Sequence, residues 1–188
     1  MASVLDFEPR RITVDEYHRM VEAGVFDEDE RIELLDGLLV PMSPQSPDHA
    51  DLVQWLTNRL VRLIGPDYEV RPQLPLTAGA TSEPEPDLAI VPAGRARRAH
   101  PKTAPLVIEV ARDSLRKDRL LKASLYAKAG VLEYWMVNAE ERCVEVHRDP
   151  DPVAGRYVAV QTLQRGQALT SAILPQVRID LSEMFGEP

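Results

Sequence analysis

Charged side chains occupy positions in this sequence where the local pattern is otherwise apolar. Glu109 interrupts Leu106–Ala111, a short and partly β-branched run that is typical of a strand buried on both faces. A lone buried carboxylate is costly without a partner. Asp87 similarly opens the apolar stretch at residues 88–91. Two carboxylates at neighbouring strand ends could hold Mg²⁺ through oxygen ligands and leave positions for phosphate and water.

A lysine that could face Glu109 follows on the next predicted element. Strong helix formers run from about residue 115 to residue 129. On a wheel of about 100° per residue, Asp118, Lys122 and Tyr126 fall on the same arc as the leucines. A helix that packs back on its own sheet would bring Lys122 close to Glu109. The alternative is an ordinary i, i+4 pair of Asp118 and Lys122 at the edge of an apolar stripe.

The composition bounds the kind of protein this chain can be. With 188 residues, 44% of them hydrophobic, it can bury a sizeable core, and we expect one domain over residues 1–188. No apolar run is long enough to span a bilayer, and residues 1–11 lack the pattern of a signal peptide. Cys143 is the only cysteine, which excludes an internal disulfide and a cysteine zinc cluster. We therefore expect a cytoplasmic protein that does not contact a membrane.

The net charge of −8 conceals an uneven distribution along the chain. Residues 95–128 hold ten Lys or Arg against Glu109, Asp113 and Asp118, which gives this segment +7 and leaves −15 for the rest. The total charge argues against a nonspecific nucleic-acid binder, whereas the basic segment could face phosphates. A solvated helix face would explain the same charges equally well.

Periodicity, caps and turn residues predict the remaining elements. Helices are predicted at residues 13–23 with a Thr13–Glu16 capping box, at 49–64, and as a terminal turn at 181–185. Strands are predicted as a hairpin at 31–42 turning at Asp36-Gly37, at 68–77 as an edge or bulged strand, from Asp87 onward, at 133–138, as a hairpin at 143–148 and 156–163, and once or twice within 168–179. Residues 93–104 are predicted to form an exposed connection.

Two further polar side chains lie close to these elements in the sequence. Glu33 belongs to the first hairpin, where it could lie at the surface or face the site. His49 is placed at the start of the second helix. Most histidines in that position are solvated or make a local hydrogen bond, so a ligand or catalytic role is the less common outcome.

The order of elements and two short motifs resemble a known nuclease superfamily. From His49 onward the order is helix, three strands, helix and strand, and it includes Pro86-Asp87 and Glu109-Val-Ala111. This combination resembles the PD-(D/E)XK nuclease superfamily. Further motifs resemble the Uma2 family of restriction-endonuclease-like proteins within it, over about residues 12–185. These motifs are Glu33-Leu-Leu-Asp-Gly37, Ser43-Pro-Gln-Ser-Pro-Asp-His49, Pro86-Asp-Leu88, Ile108-Glu-Val110, Asp118 with Lys122 and Tyr126, and Gly130-Val-Leu-Glu-Tyr-Trp135.

The resemblance implies both a fold and an activity. The fold would be α/β, with a restriction-endonuclease-like core at about residues 49–138 in which helices flank a mixed central sheet. An N-terminal helix and hairpin at 12–42 and C-terminal strands at 142–185 would be added to it. The activity would be metal-dependent endonuclease cleavage of DNA, with Asp87 and Glu109 as ligands of Mg²⁺ or Mn²⁺.

The sequence departs from the superfamily pattern at one position. The superfamily places a lysine two residues after the strand carboxylate, where this chain has Ala111. By resemblance, Lys122 supplies the catalytic amine from the following helix instead. Asp118 would orient Lys122. The resemblance gives possible accessory roles to Glu33 and His49 at the rim of the site, and to Tyr126.

Two other functions are compatible with the same residues. A noncatalytic nucleic-acid-binding or partner-binding protein could keep the nuclease scaffold and its buried charges. Metal-assisted hydrolysis of a small phosphate ester would need a closed pocket in place of an open basic groove. For the endonuclease we expect a homodimer, because nucleases that cut both strands often act as symmetric dimers.

Overall fold

The computed structural model describes residues 9–27, 29–94, 99–111 and 116–186, with the side chains of residues 116–119 left out. The elements in these residues are, in order, α1 (Val14–Glu22), β1 (Ile32–Leu35), β2 (Leu38–Pro41), α2 (Pro47–Leu63), β3 (Tyr68–Pro72), β4 (Leu88–Pro92), β5 (Leu106–Ala111), α3 (Arg116–Lys128), β6 (Glu133–Asn138), β7 (Cys143–Asp151), β8 (Arg156–Gln164), β9 (Ala168–Thr170), β10 (Arg178–Asp180) and α4 (Leu181–Phe185). The side chain of Asp118 and the basic residues Arg95, Arg97 and Arg98 lie outside this description.

A mixed six-stranded sheet forms the centre of the molecule. Its strand order is β3-β4-β5-β6-β7-β8. Strands β5 and β6 are parallel and are connected through α3, and the other neighbouring pairs are antiparallel. In the parallel pair Glu109 is in register with Met136. This arrangement confirms the predicted α/β fold with a mixed central sheet and added hairpins.

Each face of the sheet packs against different elements. Leu88 and Ile90 point to the face covered by α2 and the C-terminal segments. Ala89 and Val91 point to the opposite face, with Tyr126 of α3. This alternation places Asp87, one residue before β4, on the α3 side with Ala89. The α3 side is therefore the side on which the predicted charged residues can meet.

The N-terminal helix and hairpin form as their turn and capping signals predict. Thr13 and Glu16 complete the capping box of α1. Asp36 and Gly37 have φ values of 47° and 73°, which a tight two-residue turn between β1 and β2 requires. A Cβ atom at Gly37 would lie 2.5 Å from Cβ of Arg11, so the turn also needs glycine for close packing.

Three predicted boundaries are wrong by a few residues. Strand β3 ends at Pro72 and does not continue to residue 77, because proline has no N–H for the ladder and Gln73 turns with a φ of 50°. Helix α2 begins at Pro47, before the predicted start at His49, because Ser46 caps it and proline suits the first helical turn. The hairpin strand β7 continues through Asp151, beyond the predicted end at residue 148.

The C-terminal segment forms a separate small sheet and a short helix. Strands β9 and β10 pair antiparallel in their own two-stranded sheet. Helix α4 matches the predicted turn of helix. Leu169, Ile179 and Leu181 from these elements join the core on the α2 face of the central sheet. None of the helices in the described residues is long and apolar enough to cross a lipid bilayer.

Candidate active site

Five of the predicted site residues border an open cleft of about 430 Å³, namely Glu33, His49, Asp87, Glu109 and Lys122. The cleft lies where the β1–β2 hairpin, the start of α2, the strands β4 and β5, and helix α3 meet. Side chains at its border are Arg31, Glu33, His49, Glu85, Asp87, Glu109, Ala111, Lys122 and Met136. A second depression of about 690 Å³, near Asp48 and Phe185, contains none of the predicted site residues. The chemistry predicted from the sequence therefore belongs to the first cleft.

Glu109 lies in β5 and is buried, as predicted. The Tyr126 hydroxyl donates a 2.6 Å hydrogen bond to Oε1 of Glu109, and Nζ of Lys122 lies 3.2 Å from the same oxygen. Burial raises the pKa of Glu109 to about 7, although the positive charge of Lys122 acts in the opposite direction. Nearby Asp87 adds to the rise in pKa. A further positive charge near Glu109 would therefore stabilise its ionised form.

Lys122 extends from α3 toward two carboxylates. Its Nζ atom lies 3.2 Å from Oε1 of Glu109 and 3.3 Å from Oε1 of Glu33. Burial lowers the pKa of Lys122, but Glu109 and Glu33 outweigh this effect and raise the pKa above its usual value. The amine is therefore charged at neutral pH. Helix α3 thus brings Lys122 close to Glu109, as its place on the helical wheel predicts.

Asp87 is held at the start of β4 by two donors. The backbone N–H of Val110 donates a 2.8 Å hydrogen bond to Oδ2 of Asp87, and Nε2 of His49 lies 3.0 Å from the same oxygen. The hydrogen bond to Asp87 raises the pKa of His49, and burial partly opposes this rise. Nδ1 of His49 is buried and has no hydrogen-bond partner among the described residues. His49 thus contacts Asp87, and its role stays a prediction.

Glu33 faces the site. The sequence left open whether it lies at the surface or faces the site. It is buried in β1. Its Oε2 accepts a hydrogen bond from the backbone N–H of Glu85 at 3.2 Å, while its Oε1 contacts Lys122. The extended segment before β4 runs beside β1, and a bridge pairs Leu34 with Glu83. This pairing brings the hairpin against the segment that leads to Asp87.

The structure brings together most of the residues predicted from the sequence. Glu33, His49, Asp87, Glu109, Lys122 and Tyr126 form one connected cluster. The backbone of Asp118 is in α3, but its side chain lies outside the described residues. Glu85 and Arg31 were not predicted from the sequence, and they form a 2.9 Å ion pair at the border of the cleft. Glu85 lies one residue before the motif Pro86-Asp-Leu88, and this proximity to Asp87 is the sequence signal that could have indicated it.

The carboxylates of Asp87 and Glu109 supply the kind of oxygen ligand that a small divalent cation binds. Within the described residues, their hydrogen bonds and ion pairs involve Oδ2 of Asp87 and Oε1 of Glu109. The second oxygen of each carboxylate takes no part in these contacts. Mg²⁺ prefers such oxygen ligands and commonly binds proteins through one or two carboxylates while keeping several waters. In contrast, both oxygens of Glu33 have partners, the backbone N–H of Glu85 and Nζ of Lys122. Glu33 is therefore better suited to holding Lys122 than to binding a cation.

A different group of side chains lies outside the cleft. Within the described part of the chain, only His18, Glu83 and His100 bring three possible ligand atoms from His, Cys, Asp or Glu within 4.8 Å of one another. This group was not predicted from the sequence, because its members come from three separate segments. This group offers two imidazoles and a carboxylate, whereas Asp87 and Glu109 offer carboxylate oxygens alone.

Comparison with solved structures identifies the fold. The chain is similar to a crystal structure described as a putative nuclease belonging to DUF820 from Anabaena variabilis, with a TM-score of 0.75 and 15% sequence identity. The match covers 93% of this chain and 97% of that chain. At this identity the likeness shows the fold alone, which is the mixed α/β fold of that protein. No curated protein matches the sequence.

The family of the chain follows from its sequence. The Uma2 family, described as "Putative restriction endonuclease", matches residues 14–182. This chain belongs to the Uma2 family. The resemblance drawn from the motifs around Glu33, Asp87, Glu109 and Lys122 is thereby confirmed at the level of the family.

Proposed function

We propose that this protein is a metal-dependent endonuclease that hydrolyses phosphodiester bonds in DNA. In this proposal Asp87 and Glu109 hold Mg²⁺ or Mn²⁺, and Lys122 is the catalytic amine. The observation that carries the proposal is the position of Nζ of Lys122, 3.2 Å from Oε1 of Glu109 in an open cleft that also contains Asp87. The family description and the fold support the same class of enzyme.

The two carboxylates have separate supports that fix their direction. His49 and the backbone of Val110 hold one oxygen of Asp87, and Tyr126 holds one oxygen of Glu109. When bound, the divalent cation would polarise the scissile phosphate and lower the pKa of the attacking water. The raised pKa of Glu109 supports this assignment, because a carboxylate short of positive charge favours binding of a cation.

Lys122 supplies the fixed positive charge in this proposal. Its ammonium group stays protonated because Glu109 and Glu33 raise its pKa. It therefore acts as a hydrogen-bond donor and not as a general base. A preorganised donor stabilises the negative charge that grows on the phosphate oxygens as water attacks and the bond to the leaving oxygen breaks. Ala111 lines the same cleft and leaves room for an amine that arrives from α3.

DNA is the substrate that the charge pattern favours. The segment 95–128 carries +7 although the chain as a whole carries −8. The cleft is open at its surface and is not an enclosed pocket for a small phosphate ester. Binding that depends on phosphate contacts should weaken steeply as salt rises. A homodimer that places two such clefts on opposite strands belongs to the same proposal.

The test compares the wild type with the double variant Asp87→Asn, Glu109→Gln. Calorimetric titration with Mg²⁺ and with Mn²⁺ should show weak binding to the wild type and none to the double variant at the cleft. Plasmid nicking should follow the same pattern. Glu140→Gln, a change at an exposed glutamate outside the cleft, serves as the matched control. Equal titration and cleavage curves for the wild type and the double variant would remove the two carboxylates from the mechanism.

A second outcome would separate the enzyme from its noncatalytic alternative. If the wild type binds DNA but cleaves neither plasmid nor single-stranded substrates with either cation, the protein is a binding module on a nuclease scaffold. Circular dichroism of each variant ensures that a lost signal does not reflect a lost fold. The proposal therefore predicts cleavage by the wild type together with loss of cleavage and cation binding in the double variant.

A further inference from the structure

Three side chains from distant segments meet on the side of the molecule formed by α1. His18 lies in α1, Glu83 lies in the extended segment before β4, and His100 lies in the connection before β5. Nε2 of His18 is 2.6 Å from Oε1 of Glu83, and the rings of His18 and His100 have centroids 6.2 Å apart. Possible ligand atoms of all three lie within 4.8 Å of one another.

The carboxylate in this group is buried and held in place. Glu83 is 3% exposed. The Thr77 hydroxyl donates a 2.7 Å hydrogen bond to Oε2 of Glu83, while Oε1 faces His18. The backbone N–H of Glu83 donates a 2.7 Å hydrogen bond to the carbonyl of Leu34. Thr77 thus orients the buried carboxylate of Glu83, and two histidines lie beside it. A metal ligand held by a second hydrogen-bonded residue has this arrangement.

The donor atoms indicate which metal would bind. Two imidazole nitrogens and one carboxylate oxygen suit Zn²⁺ and related transition metals, whereas Mg²⁺ prefers oxygen ligands alone. Zinc bound by His and Glu lies about 2.0–2.2 Å from each ligand atom. Ligand atoms within 4.8 Å of one another need only small side-chain rotations to reach those distances. The ring of His18 is 44% exposed, so water can supply a fourth ligand.

We propose that His18, Glu83 and His100 form a binding site for Zn²⁺ or a similar transition-metal ion. The ion would connect α1, the segment before β4 and the connection before β5, which the backbone joins only through long stretches of chain. The site is separate from the candidate active site, since none of its three residues borders that cleft. It does not depend on nuclease activity.

The site would also stabilise one wall of the cleft. Glu83 is two residues before Glu85, whose N–H holds Glu33, and its own N–H bonds to Leu34. An ion at Glu83 would therefore restrain the segment that leads to Asp87. We expect binding of Zn²⁺ to raise the Tm of the protein without supplying the cation used in the cleft.

The experiment titrates Zn²⁺ into full-length protein that has been freed of metal with a chelator. One equivalent should bind to the wild type and raise the Tm. His100→Ala and His18→Ala should each weaken Zn²⁺ binding by more than about 100-fold. Loss of a residue that only hydrogen-bonds a metal ligand typically has a smaller effect. Thr77→Val should weaken Zn²⁺ binding by about 10-fold. A Co²⁺ titration monitored by visible absorption gives an independent measure of ligand number.

His100→Ala separates a metal site from a simple hydrogen-bonded pair. The contact between His18 and Glu83 does not need His100. If these two residues form only a hydrogen-bonded pair, His100→Ala should have the same affinity for Zn²⁺ and the same Zn²⁺-induced change in Tm as the wild type. His100→Gln is tested beside it in case alanine disturbs the connection. The double variant Asp87→Asn, Glu109→Gln should keep the zinc site. Equal affinity for Zn²⁺ in the wild type, His18→Ala and His100→Ala would overturn the proposal.

Discussion

Glu109 and Glu133 are buried glutamates on neighbouring parallel strands, but their surroundings differ. Glu133 opens β6 on the face that contains Trp135 and α2, whereas Glu109 lies within β5 on the face covered by α3. Four donors among the described residues surround Glu133. Its Oε1 accepts bonds from Nε1 of Trp135 at 3.0 Å and Nε of Arg148 at 2.9 Å. Its Oε2 accepts bonds from the Ser171 hydroxyl at 2.5 Å and the backbone N–H of Ala172 at 3.0 Å.

Glu109 has fewer donors and borders an open cleft. Among the described residues, Tyr126 and Lys122 both contact its Oε1. The balance between burial and these partners leaves the pKa of Glu109 at about 7. The difference teaches that burial alone does not determine how a carboxylate is held. Within the described residues, the donors to Glu133 reach both of its oxygens, whereas those to Glu109 reach one.

The largest expected effect concerns the stability of the fold at Glu133. Glu133→Gln replaces an acceptor oxygen by an NH₂ group that faces existing donors, and it leaves Arg148 without its charged partner. We expect the free energy of unfolding to fall by about 4 kcal/mol. Urea denaturation measures it, with Glu140→Gln as the surface control that should change it by less than about 0.5 kcal/mol. Equal free energies of unfolding for Glu133→Gln and Glu140→Gln would show that the four donors around Glu133 do not stabilise the fold.

The next effect concerns activity at Lys122. Lys122→Ala should lower the rate of DNA cleavage by about 10²- to 10³-fold, or about 3 to 4 kcal/mol of barrier, because a preorganised positive group is lost where charge develops. Plasmid nicking with Mg²⁺ or Mn²⁺ measures the rate. Lys128→Ala removes an exposed lysine from the same helix and should leave the rate unchanged. Equal rates for Lys122→Ala and the wild type would rule out the amine as a catalytic group.

A second-site change tests the position of that amine. Ala111 lies two residues after Glu109 and lines the same cleft. Adding Ala111→Lys to Lys122→Ala should restore part of the lost activity while circular dichroism shows an unchanged fold. Restoration would show that the cleft needs an amine near Glu109 and not the particular helix that carries it. No gain in the double variant would mean that α3 positions the amine in a way that β5 cannot reproduce.

The approach of Lys122 to Glu109 could be predicted from the sequence because it depends on local periodicity. Glu109 stands in an apolar strand, and Lys122 shares a helical arc with residues that pack on the same sheet. A strand followed by a helix that folds back fixes their proximity. The Asp36-Gly37 turn and the Thr13–Glu16 capping box were predicted for the same reason, since each is set by a few adjacent residues.

The donors of Glu133 could not be predicted in this way. Arg148 lies 15 residues after Glu133, and Ser171 lies 38 residues after it. The pairing of β6 with β7 and the return of the C-terminal segment bring them together, and no local pattern encodes either step. The sequence predicts that Glu133 begins a strand at 133–138 and places it in a motif that resembles the family, but it does not indicate the donors. The meeting of His18, Glu83 and His100 escaped prediction because it also depends on tertiary contacts.

The smallest expected effect is a pH dependence that arises at Glu109 in metal-free protein. Its pKa is about 7 in the folded protein and near 4.5 when unperturbed, so between these values the folded state binds more protons than the unfolded state. Stability from this group is therefore present at low pH and is lost as pH rises toward and past 7. Glu109→Gln removes the titration. Between pH 5 and pH 8 the wild type should lose about 2 kcal/mol more stability than the variant. Urea denaturation at both pH values with a chelator present measures this difference, and parallel losses in the two proteins would show that Glu109 does not carry the raised pKa.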